Sequence, residues 1–212
     1  MDNRNKLIDQ SNWLSRIPRD LAEALLSQGR LTKKKAGEGI YQIGDPPGDM
    51  FCIISGVVAI QTEDSETGVI IGHLLGRGCC FGENAILSGM PRQIGAVAKS
   101  GECHLLSISI GALESIGAEF PQLWRALAGL CAMNANIAVQ TARDLMIREP
   151  ELRCEAVLKR VSVWLEPNAQ IPLSQEELAV MCALSRGSVS RALKALQDSG
   201  RVSVGYGKIW VL

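Results

Sequence analysis

Residues 173–200 read LSQEELAVMCALSRGSVSRALKALQDSG, and this stretch decides the fold of the C-terminal part of the chain. Ser174 and Glu177 have the spacing of a capping box, which predicts that a short helix begins at this point. Ser185 is placed to cap a second helix over 186–198, whose apolar residues recur at helical spacing. Two helices joined by so short a turn indicate a helix-turn-helix.

A β-hairpin is predicted directly after the second helix. Short strands over 201–204 and 208–211 flank a turn formed by Gly205-Tyr206-Gly207. The two helices, their turn and this hairpin together indicate a winged helix-turn-helix.

Basic charge is concentrated in this C-terminal segment. The whole sequence has 22 Lys and Arg against 22 Asp and Glu, which excludes a uniformly basic nucleic-acid coat and an acidic tail. From Val180 onward, Asp198 is the single acidic residue beside five basic ones. A protein-docking winged helix is the alternative interpretation, but a basic face with so little acid favours double-stranded DNA as the partner.

The second helix carries the side chains expected to contact DNA. Arg186 and Arg191 can donate paired hydrogen bonds to guanine or contact phosphates. The capped helix starts offer backbone N–H groups to phosphate oxygens. The remaining contacts predicted from these residues are Gln175, Ser185, Ser188, Ser190 and Lys194.

Between residues 31 and 110 the chain consists of short apolar runs separated by turn residues. The run 40–43 ends at a turn rich in Gly, Pro and Asp over 44–49, and the run 69–75 ends at a Gly-containing turn over 76–78. Regular short strands with such turns predict an antiparallel sandwich or barrel.

A long helix is predicted to follow from Phe120-Pro121, because proline is well placed in a first turn. Its apolar residues mostly recur in four-then-three steps, the pattern of a short heptad stripe. The stripe consists of Leu123, Leu127, Leu130, Asn134, Ile137, Thr141 and Leu145. Either this stripe packs the helix on its own domain, or it is the seam of a homodimer in which Asn134 fixes the register; the spacing favours the dimer.

The cysteine pattern and the N-terminus bear on the compartment. Seven cysteines at scattered spacings do not predict a disulfide framework. Adjacent Cys79 and Cys80 can hardly bridge to each other and are interpreted as small buried residues, with thiol sensing as the alternative. The first residues lack the apolar core of a signal peptide, and polar residues interrupt the Ala- and Leu-rich stretch 123–139. We therefore expect a cytoplasmic protein with no membrane segment.

No catalytic or metal-ligating residue is predicted. A cupin-like enzyme would need two or three histidines together with a carboxylate to hold its metal. The chain has only His73 and His104, each interpreted as a strand residue. An enzyme would also leave the C-terminal helix-turn-helix without a role.

Two motifs in the expected order resemble the Crp/Fnr family (cyclic-AMP receptor protein / fumarate-nitrate regulator). One is the helix-turn-helix of 173–200. The other is upstream, where GIYQIGD at 39–45 and MFCIISG at 50–56 look like the opening strands of a cyclic-nucleotide-binding β-roll, and FGENAILSGMPR at 81–92 looks like its phosphate cassette.

The resemblance implies an α+β chain with three parts: an N-terminal antiparallel β-roll of the jelly-roll type, a long dimerisation helix and a C-terminal winged helix-turn-helix. These parts are expected at residues 1–120, 121–147 and 148–212. It further implies a homodimeric transcription regulator that binds an inverted-repeat DNA site and has RNA polymerase as another partner. In the second helix of the family's helix-turn-helix, the position of Gly187 is usually occupied by Glu. Because glycine has no side chain, one base pair of the site is expected to lack a side-chain contact.

The chemistry of the cassette suits a cyclic mononucleotide. Arg92 can neutralise a phosphate, Glu83 can accept a hydrogen bond from the ribose 2′-hydroxyl, and the backbone N–H groups of 83–85 can form an anion nest. The predicted ligand contacts are Gly82, Glu83, Asn84, Ala85, Arg92 and Gln93. The alternative is that Glu83 and Arg92 form a buried ion pair in a sensor that binds something else.

Two departures from the family pattern leave the effector open. Gln93 and Ile94 follow the arginine where nucleotide-binding relatives have small residues. On the long helix, the candidate base contacts are Ala138 and Val139, with Thr141 just beyond, rather than the neighbouring Thr and Ser of the cyclic-AMP receptor protein. The base, cAMP or cGMP, is therefore undecided, and a regulator that responds to redox, another small ligand or a partner remains the alternative. No cysteine precedes Cys52, which argues against an iron–sulfur cluster.

Overall fold

The structure is a computed structural model that describes residues 3–64, 68–205 and 207–212. Residues 65–67, and Tyr206 of the predicted C-terminal turn, lie outside these residues. The helices are α1 Asn3–Gln10, a 3₁₀ turn Leu14–Arg16, α2 Arg19–Gln28, α3 Glu83–Ser88, α4 Ile110–Glu119, α5 Leu123–Leu145, α6 Pro150–Ser162, α7 Gln175–Met181 and α8 Arg186–Asp198. The strands are β1 Arg30–Lys35, β2 Gly39–Tyr41, β3 Met50–Asp64, β4 Gly68–Leu75, β5 Cys80–Phe81, β6 Gly95–Ile108, β7 Val202–Gly205 and β8 Lys208–Val211.

The strands form the antiparallel architecture that the turn spacing predicted. The larger sheet has the order β1-β6-β3-β4, with β2 also paired to β6 and β5 to β3. Arg30 of β1 lies opposite Ser107 of β6, and the register continues without a break to the pair Lys35 and Glu102. The smaller sheet is the hairpin β7–β8, in which Val202 lies opposite Val211. The predicted α+β fold, with an N-terminal antiparallel sheet, a long helix and a C-terminal winged helix-turn-helix, is confirmed.

By packing, the chain divides into two compact units that are each discontinuous in sequence. Unit 1 comprises Met1–Val58 and Gly76–Ala135, and unit 2 comprises Ala59–Leu75 and Asn136–Leu212. The β4 strand therefore packs with the C-terminal helices. The ranges expected for the three functional parts, 1–120, 121–147 and 148–212, follow the family resemblance rather than packing and stay a prediction.

The core of unit 1 receives one face of α5. Leu123, Leu127 and Leu130 are fully buried there, together with apolar side chains of α2 and α4. Trp13 adds a hydrogen bond from its indole N–H to the carbonyl oxygen of Ala126, 2.9 Å away. The prediction that these three leucines form a dimer seam is therefore wrong for this structure, because their own domain already covers them.

The remaining residues of the predicted seam differ in how deeply they are buried. Ile137 and Thr141 are half-buried, and the Thr141 hydroxyl donates to the Ile137 carbonyl oxygen at 2.8 Å, a common back-bond within helices. Leu145 is exposed. The heptad spacing correctly indicated an apolar stripe, but most of that stripe faces the protein's own interior.

Two cysteines form a disulfide that the sequence analysis did not anticipate. Cys52 of β3 and Cys80 of β5 are directly opposite each other in the sheet, and their sulfur atoms are bonded. The interpretation of Cys80 as an unpaired buried residue is therefore wrong. Cys79 does stay a buried thiol, and burial raises its pKa to about 11.

None of the helices in the described ranges combines the length and the apolar character that crossing a lipid bilayer would require.

Candidate effector pocket and nucleic-acid interface

The segment 81–92, predicted as the phosphate cassette, has a glycine in a left-handed backbone conformation near its start. Gly82 has a φ of +96°, in the left-handed region, and caps the start of α3. A Cβ atom added at Gly82 would lie 3.0 Å from Arg92 Nη1 and 3.1 Å from the carbonyl oxygen of Asp49. A side chain at position 82 would therefore be strained by the positive φ and crowded by Arg92 and the backbone of Asp49.

Arg92 is buried, with 4% of its surface exposed, and is bonded mainly to the backbone around it. Its Nη1 donates to the Gly82 carbonyl oxygen at 2.6 Å, and its Nη2 donates to the Asp49 carbonyl oxygen at 2.7 Å. The guanidinium lies over the ring of Tyr41, 4.2 Å from the ring centroid, in cation–π geometry. Its Nε is buried and has no partner among the described residues.

Glu83, only 3% exposed, is held by a residue from the long helix. The Asn134 side-chain amide donates to Glu83 Oε1 at 3.1 Å and to the Cys80 carbonyl oxygen at 3.2 Å. Burial raises the pKa of Glu83, and the hydrogen bond from Asn134 and the charge of Arg92 partly oppose this effect. Asn134 Oδ1 is buried without a partner in the described part of the chain.

Sequence reasoning assigned Asn134 to a dimer seam and missed this role. Its position on the same face as Leu127 and Leu130 was the available signal, because that face is the one buried against the sensor.

The other predicted pocket residues do not all face the arginine. Ala85 is buried, whereas Asn84 and Gln93 are exposed. The Gln93 side-chain amide donates to the Pro91 carbonyl oxygen at 3.0 Å. The candidate base contacts Ala138 and Val139 are exposed on α5. The structure thus gathers Gly82, Glu83 and Arg92 into one cassette and adds Asn134 to them.

The helix-turn-helix begins with the predicted capping box. The Ser174 hydroxyl accepts from the Glu177 backbone N–H at 3.1 Å, and Glu177 Oε2 accepts from the Ser174 backbone N–H at 2.8 Å. The Ser185 hydroxyl accepts from the Ser188 N–H at 3.2 Å and so caps α8. We call α7 and α8 the DNA reader. Its inner face is formed by Val189, Ala192, Leu193 and Leu196, all of them buried.

The outer face of α8 is open and basic. Arg186, Gly187, Ser190, Arg191 and Lys194 are exposed there. Arg191 Nη2 donates to the Ser188 hydroxyl at 3.2 Å, which steadies the long side chain over the first turn. Arg186 Nη1 lies 3.6 Å from Glu176 Oε1, and because both side chains are at least 70% exposed this ion pair is weak.

One basic residue of the C-terminal segment has a different role. Arg201 Nη1 donates to Glu155 Oε2 at 2.7 Å, and Arg201 also pairs with Glu151. Both carboxylates lie on α6, so Arg201 holds the start of the β7–β8 hairpin, the wing, against that helix. It is therefore not part of the free basic face, although the charge count from sequence included it.

Comparisons with known proteins agree with this architecture. Residues 31–119 match the family model of the cyclic nucleotide-binding domain, and residues 153–212 match that of the Crp-like helix-turn-helix domain. The cAMP-activated global transcriptional regulator Vfr of Pseudomonas aeruginosa is 26% identical over 200 residues, which cover 90% of this chain and 92% of Vfr.

Solved structures show the same fold. The c-di-GMP responsive global regulator CLP of Xanthomonas campestris superimposes with a TM-score of 0.72 at 22% identity, covering 92% of this chain and 99% of CLP. FixK2 of Bradyrhizobium japonicum gives a TM-score of 0.74 at 21% identity, covering 86% of this chain and 92% of FixK2. The relatives are transcription regulators and not enzymes. With its cyclic-nucleotide-binding and helix-turn-helix domains in this order, the chain belongs to the Crp/Fnr family of DNA-binding transcription regulators.

Proposed function

We propose that the protein is a homodimeric, ligand-gated transcription regulator whose effector is a cyclic mononucleotide bound at the cassette. The observation that carries this proposal is a pair of buried polar atoms, on Arg92 and Asn134, that lack hydrogen-bond partners among the described residues. Arg92 Nε is a buried donor and Asn134 Oδ1 a buried acceptor, and neither has a partner among the described residues. A ligand with an anionic oxygen and a hydroxyl group would satisfy both. A cyclic mononucleotide offers both groups on one small ring.

A second candidate function is favoured by two observations. The paired N–H groups of Arg92 are already bonded to the Gly82 and Asp49 carbonyl oxygens, so a phosphate must compete with them. The Cys52–Cys80 disulfide adjoins the cassette, since Asn134 donates to the Cys80 carbonyl oxygen. A regulator that responds to thiol oxidation would use these residues without a nucleotide.

Calorimetric titration of the full chain with cAMP and with cGMP distinguishes the two candidates. We expect one of them to bind, and Glu83→Gln to weaken that binding about tenfold, because a charged hydrogen bond is replaced by a neutral one. Glu114→Gln, the same substitution at an exposed position of α4, is the matched control and should leave the affinity unchanged.

Two relatives respond to different nucleotides, since Vfr is cAMP-activated and CLP is c-di-GMP responsive. The titration therefore includes c-di-GMP as a third ligand. If binding heat is observed only with c-di-GMP, or with none of the three nucleotides, the mononucleotide proposal is rejected. DNA affinity that changes on adding dithiothreitol, with no nucleotide bound, would instead support the redox candidate.

The exposed face of α5 supports the homodimer. Its small and apolar residues recur in four-then-three steps at Ala128, Ala132, Ala135, Val139 and Ala142, and the pattern continues to Met146 just after the helix; all six are exposed. This face lies on the opposite side of the helix from the buried leucines. Such a sequence of small side chains lets two helices approach closely, and the heptad spacing suits a two-stranded coiled coil. We therefore place the dimer seam on this face.

The dimer would place two DNA readers on an inverted repeat with half-sites about one helical turn apart. Regulation at such a site implies RNA polymerase as a further partner, and the cytoplasm as the place of action.

Arg191 is expected to read a base. Arg191→Ala should lower the affinity for the preferred duplex by about 1–3 kcal/mol and relax the preference at one position in each half-site. Selection from a random duplex library followed by sequencing measures this. Gln175→Ala, at the start of α7, should weaken binding to all sequences alike, because it removes a phosphate contact. Equal losses on all duplexes for Arg191→Ala would show that α8 is not the base reader.

A further inference from the structure

The β4 strand belongs to the sensor by sequence and to the DNA reader by packing. It lies inside residues 31–119, which match the cyclic nucleotide-binding domain. The segment Ala59–Leu75 that contains it nevertheless forms one compact unit with residues 136–212, and β4 contacts both α6 and α7. A side-chain network at this junction connects the end of β4 to α5 and α6, and α6 packs against α8 of the reader.

Arg160 of α6 is the centre of that network. It is 7% exposed, and its Nε donates to Asp144 Oδ2 at 2.6 Å, near the end of α5. Its Nη1 donates to His73 Nδ1 at 2.9 Å, at the buried end of β4. The His73 ring also meets the Trp164 ring edge-on, with 5.7 Å between centroids and an interplanar angle of 88°. One guanidinium thus joins β4, α5 and α6.

The network has one protonation state near neutral pH. A guanidinium only donates hydrogen bonds, so His73 Nδ1 must accept and the ring proton must be on Nε2. Burial and the charge of Arg160 lower the pKa of His73 to about 3. The hydrogen bond from Arg160 to His73 therefore persists across the physiological range and is a fixed connection.

A gain in the folding stability of the protein does not by itself explain why this network is present. Burying an ion pair costs solvation free energy that the attraction between its members often only offsets. Here Arg160 Nη2 and His73 Nε2 have no partner among the residues that the structure describes, so the desolvation cost is not fully compensated. What the network does supply is a definite relative position for three elements.

We propose that Arg160 is a positioning residue that fastens the DNA reader to the β4 strand of the sensor, so that displacement of β4 reaches α7 and α8 as one movement. By fixing these helices before DNA arrives, it also lowers the ordering cost of binding. The proposal rests on DNA binding by the reader but not on the identity of the effector.

A double-mutant cycle in DNA affinity tests this directly. His73→Phe keeps the packing against Trp164 but cannot accept from Arg160, and Arg160→Met keeps an unbranched buried side chain without the guanidinium. Fluorescence anisotropy is measured on a duplex enriched by the wild-type protein from a random library. We expect each variant to lose about five- to thirtyfold in affinity, and the double variant to lose no more than the larger single loss.

The control and a second readout separate positioning from general effects. Lys159→Met removes one positive charge from the same helix at an exposed site and should change the affinity less than twofold. In His73→Phe, amide hydrogen exchange should become faster in α7 and α8, far from position 73 in sequence. If Arg160→Met fails to fold, Asp144→Asn replaces it in the cycle.

The outcomes are distinct. Unchanged or increased affinity in His73→Phe, or losses that simply add in the double variant, would overturn the positioning role. A wild-type protein that enriches no duplex would instead overturn the proposed function.

Discussion

Ala135→Glu is expected to turn the proposed dimer into a monomer and to lower the affinity for an inverted-repeat duplex more than a hundredfold. Ala135 is exposed in the middle of the proposed seam. A carboxylate there would be desolvated against its symmetry mate, and two like charges would face each other across the seam. A monomer engages only one half-site, so the gain in effective concentration that links two readers is lost.

Analytical ultracentrifugation and anisotropy on the enriched duplex measure the two effects. Gln140→Glu is the matched control, because it adds the same charge at an exposed flank of α5 outside the seam. It should leave the dimer intact. Leu130→Glu should behave differently again and unfold unit 1, since Leu130 is fully buried in that core. An Ala135→Glu protein that remains dimeric would place the interface elsewhere.

Arg92→Ala is expected to destabilise the sensor by about 3–5 kcal/mol, beyond any loss of ligand affinity. The change leaves the buried Gly82 carbonyl oxygen without its donor, which costs about 1–3 kcal/mol, and it also removes the donor from the partly buried Asp49 carbonyl oxygen, at a smaller cost. It also removes the cation–π contact with Tyr41, worth about 0.5–2 kcal/mol. The arginine would thus be both a structural clamp and a ligand contact.

Urea unfolding followed by tryptophan fluorescence measures this loss. Gln93→Ala, beside Arg92 but exposed, should change the unfolding free energy by less than about 0.5 kcal/mol. If Arg92→Ala were as stable as the wild type, the clamp described here would contribute nothing, and Arg92 would be free to serve a phosphate alone.

Elements decided by neighbouring residues were predictable from sequence. The capping box of Ser174 and Glu177 and the cap at Ser185 appear as predicted, because each depends on side chains within a few positions of one another. The turn-bounded strands of the sensor follow the same rule.

Features decided by distant residues were not predictable in the same way. A stripe of apolar residues shows that a helix face is buried, but not whether it is buried by its own domain or by a second copy. Asn134 meets Glu83 only because the fold brings α5 beside the cassette. Likewise, Cys52 and Cys80 become neighbours through strand pairing, and Arg201 through the docking of the wing on α6.

The discontinuity of unit 2 has a consequence for how the protein folds. During synthesis, residues 59–75 leave the ribosome well before residues 136–212, with which they pack. Contacts such as that between His73 and Arg160 span 87 positions, and forming them requires closing a long loop. Long-range closure of this kind slows folding. The β4 strand therefore lacks its contacts with α6 and α7 until the C-terminal helices have been synthesised. Unit 2 can be completed only at that late stage.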